Sequence, residues 1–268
     1  MKLPRLGLGT WHMGESAATR AAEVAALRAG LDAGLSLIDT AEMYGDGGAE
    51  QVVGEAVRGR RDEAFIVSKF YPHNASRKKL PAACEASLKR LGIERLDLYL
   101  LHWRGSVPLE ETVEALELLV RQGRIARWGV SNFDVGDIQE LARAPGGEGV
   151  AANQVLYNLA RRGIEYDLLP LCQRSRIDVM AYSPLDEGPL ARHPAVVAAA
   201  RAAGITPAQV AIAWVVAHEG VCAIPKTASE ARVREIAAAR EVKLDPAVLA
   251  SLEAAFPPPA GKRALEVI

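Results

Sequence analysis

Leu35-Ser36-Leu37-Ile38-Asp39 is a short apolar run ending on a carboxylate, and Thr40-Ala41-Glu42-Met43-Tyr44-Gly45 follows it. The run has no helical period and is too short for a buried helix, so it reads as a strand. Working outward, equivalent runs occur at 6–9, 65–69, 96–102, 128–131, 151–154, 179–182 and 221–225, eight in all with 35–39. Candidate strand ends fall at Gly9, Asp39, Lys69, His102 and Ser131, so successive steps are 30, 30, 33 and 29 residues.

Helix signals fill the intervals. Leu109, Val113, Leu116 and Val120 recur at helical spacing, with Glu110, Glu111, Glu114 and Glu117 on other faces. Thr206-Pro207-Ala208-Gln209 combines an N-cap, Pro at the first helical position and a capping-box Gln, and Asp134 and Asp245 stand at similar starts. Strand then helix, repeated eight times, predicts parallel strands with right-handed crossovers. An open doubly wound sheet is the rival. Repeat count and even spacing favour a single-domain (β/α)8 barrel over residues 1–268. The longer interval from Tyr182 to Pro225 predicts an extra helix over 195–203. Residues 261–268, after Pro257-Pro258-Pro259, are expected to have no regular structure.

Bulk properties bound the function. Half of the 268 residues are hydrophobic and the formal net charge is −1, which gives no electrostatic case for nucleic acid or an acidic membrane. Cys84, Cys172 and Cys222 are widely spaced and odd in number, arguing for buried thiols in a reducing compartment. No signal-peptide core or membrane-length apolar stretch is present. The expectation is a complete, cytoplasmic chain, monomeric by default.

In a barrel of this kind the C-terminal strand ends converge on one face, where active sites lie. Asp39, Lys69 and His102 are such ends, and Tyr44 lies on the loop after Asp39. Reduction of a carbonyl by hydride needs a proton for the developing alkoxide. A tyrosine can donate it, and a nearby ammonium is expected to lower the phenol's pKa from about 10. Lys69 can supply that charge, Asp39 can neutralise Lys69, and His102 can hydrogen-bond the carbonyl oxygen. No metal is required. Each residue alone has a plainer reading: a structural ion pair, a surface aromatic, a core histidine. Their joint placement at successive strand ends favours the catalytic one.

Asp39-Thr40-Ala41-Glu42-Met43-Tyr44-Gly45 resembles the aldo-keto reductase signature around its proton-donor tyrosine. Gly9-Thr10-Trp11, Ser68-Lys69, Leu100-Leu101-His102-Trp103, Gly129-Val130-Ser131-Asn132-Phe133, Asn153-Gln154, Tyr182-Ser183-Pro184-Leu185 and Ile224-Pro225-Lys226-Thr227 are similar to that family's other motifs, in its order. The resemblance implies a barrel reductase with Tyr44 as acid, supported by Asp39, Lys69 and His102.

No GxGxxG fingerprint is present, so a dinucleotide must lie across the barrel mouth. Ser131, Asn132 and Gln154 offer hydroxyl and amide partners for a carboxamide, and Tyr182 offers a flat face for a nicotinamide. The resemblance implies these roles, adds Gly9, Thr10, Trp11 and Asp39 to the cofactor site, and puts Ser183, Pro184 and Leu185 at the pyrophosphate. Lys226, Thr227, Ser229 and Arg232 gather at a helix start, an arrangement suited to an anion. In the family such residues hold the 2′-phosphate of NADPH, with Arg232 and Glu235 on the adenine. Ile236 replaces an Asn often found in relatives, and Asp186 replaces a Gly, so that loop is expected to fold differently.

Trp11, Tyr71, His102 and Trp103 are expected to wall a pocket for small carbonyl compounds. Met13, Met43, Trp128 and Trp214 are read as packing residues. The short tail predicts an open pocket with broad specificity. Leu3-Pro4-Arg5 is expected to cover the barrel floor. Gly14-Glu15 after Trp11-His12-Met13 resembles bacterial members that reduce methylglyoxal. The alternatives are a cofactor-binding regulatory barrel with slow turnover, or a Lys69 Schiff-base enzyme.

Overall fold

The computed structural model describes residues 3–268. Eight strands run parallel in sequence order: β1 (Gly7–Gly9), β2 (Leu37–Asp39), β3 (Phe65–Phe70), β4 (Leu98–Leu101), β5 (Trp128–Ser131), β6 (Ala152–Leu156), β7 (Asp178–Tyr182) and β8 (Val221–Ala223). Each pairs in parallel with the next. Parallel bridges Leu6–Ala223 and Gly9–Lys226 join the last strand to the first and close the barrel. The order agrees with the barrel reading and excludes the open sheet.

Around it stand α1 (Arg20–Asp32), α2 (Gly48–Ala56), α3 (Leu80–Leu91), α4 (Leu109–Arg121), α5 (Val135–Leu141), α6 (Leu168–Ser175), α7 (Pro194–Ala203), α8 (Pro207–Val216), α9 (Glu230–Ala238) and α10 (Pro246–Ala255). The extra helix before the last strand is α7. Capping boxes at Asp134/Asp137 and Thr206/Gln209 begin α5 and α8, as the sequence signals predict. Asp245 precedes α10 without a side-chain cap. No single helix among the described residues is long and apolar enough to cross a membrane.

The core has two layers. Leu37, Val67, Leu98, Leu100, Met180 and Cys222 fill the barrel interior, and Leu3 packs into the same cluster. Of Leu3, Pro4 and Arg5, it is Leu3 that packs there; Pro4 is half-buried and Arg5 is exposed. The second layer lies between strands and helices and contains Met13, Trp128 and Trp214. A filled interior leaves the C-terminal mouth as the concave end. Its loops are pressed together at Gly14: a Cβ there would lie 2.1 Å from the Gly48 carbonyl carbon, and its φ is 74°. Only glycine lets the loop after β1 dock against the start of α2.

Candidate active site

Asp39 ends β2 and Lys69 lies one residue before the end of β3, so both side chains reach the barrel axis below the mouth. They form a fully buried ion pair, Lys69 Nζ to Asp39 Oδ2 at 2.7 Å. Lys69 also donates to the Thr40 carbonyl at 2.9 Å and to the Tyr44 hydroxyl oxygen at 3.1 Å. An ammonium has three N–H donors, and all three are used. Gln154 Nε2 donates to the other Asp39 oxygen at 2.8 Å. The Thr10 hydroxyl donates to the Asp39 carbonyl at 2.9 Å, tying β1 to β2 beside the site.

Tyr44 reaches Lys69 because the chain turns sharply after it. Gly45 and Asp46 both take left-handed conformations, φ 55° and 51°, before α2 begins. Since the Tyr44 oxygen accepts from Lys69, its own O–H is free to point into the cavity. Burial raises the phenol's pKa, and Lys69 counters this without reversing it. The lowering expected from the sequence is therefore not found: Tyr44 holds its proton firmly. Burial opposes the Lys69 charge, but attraction by Asp39 and Tyr44 prevails and raises its pKa.

His102 stands one residue beyond β4, its ring 5.8 Å from that of Tyr44 in an edge-on arrangement. Burial, and secondarily Lys69, depress the imidazole to about 3. His102 is thus neutral and can serve as a hydrogen-bond partner, not as an acid. Its Nδ1 is buried without a partner.

A cavity of about 540 Å³ opens above these groups. Asp39, Tyr44, His102, Ser131, Asn132, Gln154 and Tyr182 line it at the base; Gly9, Thr10 and Trp11 form one side, and Ser183, Pro184 and Leu185 another. Lys226, bridged to Gly9, and Arg232 also line it. The Tyr182 hydroxyl donates to Asn132 Oδ1 at 3.1 Å, and Asn132 Nδ2 donates to the His102 carbonyl at 3.3 Å. Ser131 Oγ donates to the Gln154 carbonyl. Burial raises the Tyr182 phenol to about 12, which keeps it neutral.

Several sequence-predicted residues lie off the cavity wall. Lys69 is sealed beneath it. The buried Thr227 hydroxyl accepts from the Ser229 amide, and Ser229 itself is exposed at the start of α9. Glu235 is drawn the other way, accepting a hydrogen bond from Thr206 at the start of α8. Tyr71 and Trp103 meet edge-to-face at 5.9 Å and Trp103 stacks obliquely on His102, so they stand beside the cavity. Conversely, Met43, His12, Glu187, Gly188 and Ile268 line it although sequence reasoning did not place them there. His12 takes a left-handed conformation, φ 62°, and stacks on Trp11 at 4.3 Å. Ile268 brings the tail to the rim while remaining more than half exposed.

A barrel whose mouth gathers a phenol, an ammonium, a carboxylate and a neutral imidazole around a long cleft defines a carbonyl-reductase architecture. The aldo/keto reductase family profile matches residues 5–256, and the chain belongs to that family. It is 56% identical to methylglyoxal reductase YeaE of Escherichia coli K12, across all of this chain and 96% of that protein. It is 33% identical to the uncharacterised oxidoreductase YtbE of Bacillus subtilis, covering 91% of this chain and 86% of that one. Among solved structures, a Klebsiella pneumoniae aldo/keto reductase in complex with NADP and acetate superposes with a TM-score of 0.97 at 55% identity, covering 99% and 96% of the two chains. The thermostable aldo-keto reductase Tm1743 with the inhibitor epalrestat superposes with a TM-score of 0.86 at 37% identity, covering 94% and 95%.

Proposed function

We propose that the protein is an NADPH-dependent reductase of small aldehydes, with 2-oxoaldehydes such as methylglyoxal as the favoured class. The observation that carries this reading is the hydrogen bond from Lys69 to the Tyr44 oxygen, which leaves the phenol proton facing the cavity. Support for NADPH comes from the donor set: amides and hydroxyls, a tyrosine face and two cations all line one cleft. The relatives solved with NADP or NADPH support the same choice. The methylglyoxal class rests on the whole-chain likeness to YeaE. Three buried, free cysteines favour a cytoplasmic location.

When bound, NADPH supplies a hydride to the carbonyl carbon. The chain's own residues handle the proton and the oxygen. Neutral His102 donates a hydrogen bond that orients the carbonyl. Tyr44 delivers its proton to the oxygen as charge develops there, and the product leaves as an alcohol. The resulting phenolate is stabilised by the Lys69 ammonium, which Asp39 keeps charged in a buried setting. Asn132 and Gln154 would hold the carboxamide end, with Tyr182 against the ring. Lys226 and Arg232 would hold the 2′-phosphate.

The test is NADPH oxidation followed at 340 nm against a panel of methylglyoxal, aromatic aldehydes, ketones and sugars, repeated with NADH. Turnover with methylglyoxal and NADPH, well above that with sugars or NADH, is expected. Absence of turnover with every carbonyl would overturn the reading in favour of a regulatory barrel.

A further inference from the structure

Arg161 belongs to the tight loop between β6 and α6, where Asn158 and Arg161 form an antiparallel bridge. It touches no cavity wall of the reductase cleft, yet it joins two segments that do. Its Nε donates to Asp186 at 3.3 Å, and its terminal nitrogen donates to Glu266 at 2.7 Å. Asp186 sits in the loop 183–188, which walls the cleft through Ser183, Pro184, Leu185, Glu187 and Gly188. Glu266 sits in the tail that brings Ile268 to the same rim. Buried Asn158 reinforces the first tie by donating to the Ser183 carbonyl at 2.9 Å.

The loop needs such ties. Ser183, Asp186 and Glu187 all have left-handed backbones, φ 48°, 49° and 58°, which residues with a Cβ adopt at a cost. An Asp at 186 would gain nothing conformationally over Gly; what it provides is a carboxylate for Arg161. The tail has its own anchors, Leu265 against the core and Lys262 near Asp167 at 3.6 Å. Arg161 is the cation shared between the two carboxylates, so one side chain links loop and tail.

We propose that Arg161 is a positioning residue that couples the tail to the loop 183–188 and so sets how fast the dinucleotide leaves. The ligand side of this inference rests on the NADPH reading above; the coupling itself does not. Freeing either carboxylate loosens the opposite segment. Because the ion pairs are partly exposed, the coupling weakens as salt is raised.

Two measurements test it. In stopped-flow fluorescence, Arg161→Ala and Asp186→Asn are expected to speed NADPH dissociation about tenfold, and the double variant no further than either single one. KM for NADPH rises in step, while the melting temperature stays close to parental. In amide hydrogen exchange on the ligand-free protein, Glu266→Gln is expected to speed exchange within 183–188, to which its carboxylate is tied through Arg161. Unchanged exchange there, or dissociation rates within twofold of parental in all variants, overturns the proposal. If the parental protein fails to bind NADPH, the functional reading fails instead, and the exchange experiment still decides the coupling.

Discussion

Breaking the buried Lys69–Asp39 pair is predicted to damage the fold as well as the chemistry. At 2.7 Å and an effective dielectric constant near 20, the attraction is worth about 6 kcal/mol. Desolvation of two fully buried ions opposes it by several kcal/mol each, so the intact pair contributes little net stability. Removing one partner is different, because it strands the other. Lys69→Met leaves Asp39 with Gln154 as its remaining side-chain donor, and Asp39→Asn leaves the ammonium with neutral acceptors alone. Each single variant is expected to lose about 3–5 kcal/mol in urea denaturation at pH 7. The double variant, with neither charge, should lose less than either, about 1–2 kcal/mol by the same reasoning. All three should be inactive. Single losses below about 1 kcal/mol, or losses that simply add in the double variant, would refute the buried-pair account.

Other consequences can be checked separately. His102 titrates near 3 in the folded chain against 6.5 unfolded, so the unfolded state binds a proton that the folded state refuses. Stability from this source is full above pH 6.5 and drains as pH falls toward 3; between pH 7 and 4.5 it costs about 2.5 kcal/mol. Denaturant titrations of parental protein and His102→Gln across that range should diverge by this amount, and parallel curves would contradict it. Thr206→Val removes the α8 cap and the tether on Glu235, so a loss of about 1 kcal/mol and a Tm drop of about 2–4 °C are expected by calorimetry. Arg232→Ala should raise KM for NADPH about tenfold and KM for NADH, which has only an adenine contact to lose, by much less; equal effects on both cofactors would remove Arg232 from the 2′-phosphate site.

Much of the site was legible because barrel geometry turns sequence spacing into convergence. Asp39, Lys69 and His102 could be placed from strand ends alone, and Tyr44 from its nearness to one of them. What spacing could not decide were features set by docking. Whether Thr227, Ser229 and Glu235 face the cleft depends on side-chain direction at a helix start, and a competing partner, Thr206, lies 29 positions away from Glu235. The length of the tail was visible in the sequence but its seat was not; Glu266 meets Arg161 across 105 positions. The sign of the Tyr44 shift was missed because the Lys69 charge can be read from sequence and the extent of burial cannot.

The central claim is that the Tyr44 hydroxyl is the proton source. Tyr44→Phe deletes one oxygen at a position bonded by Lys69 and leaves the cleft walls in place. Turnover of methylglyoxal should fall by roughly 100-fold or more, with NADPH affinity within about twofold of parental. A variant that binds NADPH normally and keeps most of its turnover would contradict the account.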